Sequence, residues 1–134
     1  MTSNTFSNTF IFNKRFDNDY LFSLYAGEYS YIEEIFATTL EYFDEDVEKA
    51  AMAYATGNMS DLKNALHKLK PTFGFVGLLT IQDECRDFEL KCQRTDDVEE
   101  LKQDYKQIVI TLAEGKELIE KEYRRLKDFN ANPI

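Results

Sequence analysis

The 134-residue chain has a single histidine, His67, in the run Leu62-Lys63-Asn64-Ala65-Leu66-His67-Lys68-Leu69-Lys70-Pro71-Thr72-Phe73-Gly74-Phe75-Val76-Gly77. Imidazole is a competent nucleophile near neutral pH, and lysines beside it would neutralise an anion. If the run is helical, at 100° per residue, Leu62, Ala65, Leu66, Leu69, Phe73 and Val76 fall opposite His67. Lys63, Asn64, Lys70, Pro71 and Gly74 fall within about 60° of it. The imidazole therefore points to solvent from the polar face of a helix whose other face is core. An exposed histidine among lysines suits phosphoryl chemistry.

The charge distribution agrees. Three of the 16 basic residues, and none of the 25 acidic ones, lie between Leu62 and Gln82, so that stretch is +3 and the remainder −12. A cationic patch on an acidic protein is a landing place for a phosphoryl group or an acidic partner.

Here the segment resembles the histidine-containing phosphotransfer (HPt) domain family. Its pattern is His-x-x-Lys-(Gly)-(Ser/Thr), with a glycine ten residues after the histidine. In this chain it reads His67, Lys70, Pro71, Thr72 and Gly77. Cys85 and the Phe88-Glu89 pair continue it. The resemblance spans about Tyr20 to Leu126 and is most specific from Ala65 to Glu89. It implies a phosphorelay carrier without ATP-dependent kinase activity. His67 would accept a phosphoryl group from the aspartate of one receiver domain and pass it to another. The resemblance also implies that Lys70 compensates phosphate charge. Glu89 matches the family position facing the histidine, as an imidazole partner or as a plain surface carboxylate. No resident cofactor is implied; magnesium would come with the receiver domain of a hybrid sensor kinase or response regulator.

Around these residues, Lys63, Lys68, Pro71, Gly74 and Phe75 form a candidate docking face. Gly74, with no side chain, would let a partner come close to the imidazole. Phe75 is either an apolar docking contact or covered by the N-terminal segment. Pro71 departs from the pattern. An interior proline costs about 3 kcal/mol, so either the helix kinks or packing offsets the penalty. A disturbed helix is expected, with the His67 carbonyl lacking its usual amide partner.

The positioning elements are helical. Residues 1–15, rich in Asn, Thr, Ser and Phe, form a leader that is either flexible or lays Phe6, Phe10 and Phe12 on the bundle. Asp17 to Ala26 gives a short helix closed by Gly27. From about Glu28 to Thr56, Ile32, Ile35, Phe36, Leu40, Phe43, Val47, Ala50 and Tyr54 recur at helical steps. Gly57 stops that helix, and Asn58 or Ser60 caps the histidine helix. A further helix covers about Leu78 to Gln93. Asp96 with Glu99 resembles a capping box before the last stripe, which includes Leu101, Tyr105, Ile108, Leu112, Ile119 and Leu126. Long amphipathic helices with short connections predict an all-α, up-and-down antiparallel four-helix bundle over 16–129, with a short extra N-terminal helix and a tail at 130–134. HPt domains share that fold.

Composition narrows the classes. Net charge −9 argues against nucleic-acid binding. No run approaches the roughly 18 apolar residues of a membrane span, and no secretory signal is evident, so a cytoplasmic location is expected. Cys85 and Cys92 share an apolar stripe about 10 Å apart on one helix, which suits buried free thiols. A metal site is not expected with one histidine facing elsewhere. The competing reading is an HPt-like interaction module that binds a signalling partner without phosphorylation.

Overall fold

A computed structural model describes residues 9–132. Its helices are α1 (Asn18–Tyr25), α2 (Tyr29–Thr56), α3 (Met59–Phe75), α4 (Leu79–Cys92) and α5 (Lys102–Ala131), with a 3-10 turn at Val98–Leu101 before α5. Helix α2 packs on α3, α3 on α4, and α4 on α5, and α5 returns to α2. Neighbours in sequence are neighbours in space, as short connections require of an up-and-down four-helix bundle.

The stops and starts follow local chemistry. Asp17 caps α1, its side chain accepting from the Tyr20 amide. That helix closes on Ala26, at φ 51°, one residue before the expected glycine. Gly57, at φ 71°, ends α2, with Asn58 N–H on the Ala53 carbonyl and Gly57 N–H on that of Tyr54. Asn58 then caps α3 through the Asp61 amide at 3.0 Å. The cap before the last helix is Asp97, not the expected Asp96 box: its carboxylate accepts from the Glu99 amide at 3.0 Å. One turn of 3-10 helix, rather than α-helix, follows it.

The core is the sum of the apolar stripes. Phe36, Leu62, Leu66, Leu69 and Phe73 are fully buried, as are Ile119 and Leu126 of α5. The chain from Phe10 to Phe16 lies on this core. Phe12 and Phe16 pack against Phe36, and Phe10 against Phe129. Asn13 N–H donates to the buried Glu122 carboxylate at 2.7 Å, and Arg125 pairs with the same oxygen while covering the Phe10 ring. Phe6 lies outside the described residues. At the other end α5 continues to Ala131, past the expected start of a tail at 130, because the Asn130 side chain donates to the Tyr29 carbonyl and to Glu33 on α2.

The expected break at Pro71 does not occur: α3 stays helical from Met59 to Phe75. Proline cannot donate to the His67 carbonyl, but Leu69 and Phe73 on either side are completely buried and hold the helix to the bundle. The α3–α4 turn depends on Gly77, at φ 82°. A Cβ there would also fall 2.7 Å from Leu21 Cγ of α1.

Gly77→Ala therefore meets both a backbone and a packing penalty and should lower stability by about 2 kcal/mol. Gly57→Ala, also left-handed but with nothing within 4 Å of the new Cβ, should cost about 1 kcal/mol. Urea unfolding of the two variants checks the order; equal losses would contradict it.

Candidate functional site

Helix α3 (Met59–Phe75) has an apolar and a polar face. Leu62, Leu66, Leu69 and Phe73 fill the core, and His67 is left on the polar side with 69% of its side chain exposed. The ring is nevertheless held. Its Nδ1 lies 2.8 Å from Glu89 Oε2 on α4. The other carboxylate oxygen accepts from Lys70 Nζ at 3.0 Å. Glu89 is thus a surface carboxylate neither in exposure nor in partners: its side chain is only 9% exposed, and it joins two residues one turn apart on the facing helix. Helix α4 can place it there because Ile81, Cys85, Phe88 and Cys92 anchor its inner face.

The electrostatics fix the imidazole. Burial by itself would push the Glu89 pKa up. The hydrogen bonds and charge of Lys70, and then of His67, outweigh it and hold the carboxyl below its ordinary range. An ionised carboxylate can only accept, so Nδ1 keeps the proton and donates a hydrogen bond to Glu89. In the neutral ring the lone pair is then on Nε2, and no described side chain occupies that nitrogen. An exposed nucleophilic nitrogen with an oriented partner behind it is equipped for group transfer.

The remaining candidates separate. Lys63 is half-buried, and its ammonium has no ion pair or hydrogen bond among the described residues. Lys68 Nζ lies 3.1 Å from Asp46 Oδ1 on α2, so its charge is already half of an ion pair within the bundle. Pro71 is exposed. Gly74 does not leave an opening for a partner, as the sequence suggested; it is buried, and the Gln82 amide of α4 occupies its missing side chain's place, 2.5 Å from where a Cβ would stand. Phe75 is 56% exposed among the described residues, and the described part of the N-terminal segment leaves it uncovered; its carbonyl accepts from the Tyr25 hydroxyl at 2.7 Å. Gln82 and Asp46 went unnoticed in the sequence. Asp46 sits in an acidic run, Asp44-Glu45-Asp46, and nothing local marks it as the one turned inward.

Other chemistry finds little support among the described residues. Burial pushes the Cys85 thiol up to about 12 and the Cys92 thiol to about 11, so neither is a nucleophile near neutrality. No group of three or more acidic, cysteine or histidine side chains there is arranged to hold a metal ion. No described helix is long and apolar enough to cross a membrane.

Comparison with known proteins adds two findings. A family model described as "Hpt domain" matches residues 34–128. The HPT domain from the Hpt sensor hybrid histidine kinase of Shewanella superposes with a TM-score of 0.71, at 19% identity, over 83% of this chain and 95% of that one. That likeness concerns the fold. No curated protein matches the chain.

Because the folded-state pKa of Glu89 is depressed, the stability its pairing contributes is present above the ordinary carboxylate range. It is lost as pH falls through the lowered value. Glu89→Gln should cost about 1 kcal/mol near neutrality, with the difference from wild type shrinking in acid. Urea midpoints of both proteins over a pH series measure this. A gap that widened on acidification would refute the assignment.

Proposed function

The chain belongs to the Hpt domain family, and on that premise we propose that it is a phosphorelay carrier. His67 takes a phosphoryl group from the aspartyl phosphate of one receiver domain and passes it to the aspartate of another. The observation that carries this reading is the exposed imidazole whose Nδ1 is held by Glu89, leaving Nε2 free. The relay setting implies a cytoplasmic protein that meets a hybrid sensor kinase, a response regulator or both.

The step needs positioning and charge neutralisation more than covalent machinery. The Nε2 lone pair attacks phosphorus, and the N–P bond forms as the acyl phosphate P–O bond breaks. The receiver's carboxylate leaves with that electron pair. The Nδ1–H stays hydrogen-bonded to Glu89, so positive charge developing on the ring meets a carboxylate. Reversal with a second receiver returns the ring to its neutral form. Magnesium belongs to the receiver side of this exchange, and no step requires this chain to bind ATP.

Lys70 has a positioning part in this scheme. At 3.0 Å from Glu89 it keeps that carboxylate ionised and aimed at the imidazole. Its removal then has a structural effect as well, unlike that of a free surface lysine. Lys70→Ala should slow transfer and also lower stability by about 1–2 kcal/mol, since a nearly buried carboxylate loses a charged partner. Thermal melts alongside transfer rates separate the two effects.

His67→Gln should abolish labelling by a radiolabelled phosphorylated receiver and leave the helical fold intact, because the ring supplies no core packing. Labelling of that variant at the wild-type rate would sink the carrier reading. Receiver binding without labelling of either protein would put an interaction module in its place.

A further inference from the structure

Resting on that phosphotransfer reading, we propose that Lys63, rather than Lys70, is the ammonium that meets the phosphoryl group on His67. A phosphoryl group on Nε2 brings close to two negative charges near neutral pH. Three lysines lie near it in the cationic stretch. Lys70 is committed to Glu89 at 3.0 Å, on the side of the imidazole that carries Nδ1. Turning it to the phosphoryl oxygens would strip a nearly buried carboxylate of its charged partner. Lys68 is paired with Asp46 of α2 at 3.1 Å. Lys63 alone of the three has no partner among the described residues.

Its placement suits the task. Lys63 is four residues before His67 on α3, about 40° from it around the axis. Residues so spaced have Cβ atoms about 6 Å apart, within easy reach of a lysine stem. The division of labour is then physical. Lys63 lies on the same side of His67 as Lys70, about 20° from it around the axis, but one turn before the imidazole where Lys70 is one turn after it. Lys70 and Glu89 hold the proton-bearing nitrogen, and the free cation answers the charge that arrives on the other nitrogen. The sequence pattern points to Lys70 because it counts spacing and does not see that Glu89 already takes that ammonium.

The test uses a donor too small to dock. Phosphoramidate transfers its phosphoryl group to Nε2: the N–P bond to the ring forms, the donor's P–N bond breaks, and ammonia leaves with the electron pair. The full chain and the variants Lys63→Ala, Lys63→Arg and Lys70→Ala are phosphorylated in this way. Phosphorus NMR across a pH series then gives the protonation midpoint of the phosphoryl group, and circular dichroism checks folding. A cation at the phosphoryl oxygens lowers that midpoint. Lys63→Ala should therefore raise it by about half a pH unit, Lys63→Arg should restore it, and Lys70→Ala should leave it near the wild-type value. A midpoint unmoved in Lys63→Ala, or moved as far in Lys70→Ala, overturns the assignment to Lys63 while the phosphotransfer reading stands. If wild type gains no phosphohistidine at Nε2, that reading fails and takes this assignment with it.

Discussion

The site depends on one carboxylate set between two helices. Glu89 reaches from α4 to His67 and Lys70 on α3, at 2.8 and 3.0 Å. A nearly buried carboxylate is costly unless paired and hydrogen-bonded, and these two partners meet that demand. In return it selects which imidazole nitrogen is protonated. Nothing in α3 by itself makes that selection. A histidine on a lone polar face would rotate freely and share its proton between both nitrogens.

The core makes that bridge possible. Leu62, Leu66, Leu69 and Phe73 of α3, with Ile81, Cys85 and Phe88 of α4, are buried in the core behind these three site residues. They fix the separation of the helix axes within the reach of one glutamate side chain. The turn between the helices is fixed in its turn by Gly77, whose amide neighbourhood joins two parts of the fold. Its carbonyl accepts the Asp17 amide at 2.9 Å, and Leu21 fills the space where a side chain would be. The N-terminal strap, pinned by Glu122 and Arg125, thus supports the same end of the bundle as the α3–α4 turn.

The charges of this acidic protein are less uniform in role than in sign. Three lysines of the cationic stretch differ in what holds them: a buried glutamate for Lys70, a buried aspartate for Lys68 and no described partner for Lys63. Net charge and patch charge are properties of composition. Which cation is available to an incoming anion is a property of contacts.

Periodicity alone was enough for much of this protein. Apolar residues at three- and four-residue steps make helices, short connections make neighbours antiparallel, and the polar position of His67 follows from the 100° rotation per residue. Gly57 and Asn58 announced their stop and cap because their chemistry is local. Other features needed the folded chain. Gly74 was read as open space because its own helix offers nothing there, and Gln82 arrives from another helix. The break expected at Pro71 is absent because long-range burial of Leu69 and Phe73 outweighs a local penalty. Asp46 and Glu122 look like any other helical acid in sequence, yet each is buried against a distant partner. Sequence spacing determines which residues share a helix face; only packing decides which side chain of a second helix stands opposite, and so which lysine and which nitrogen remain free.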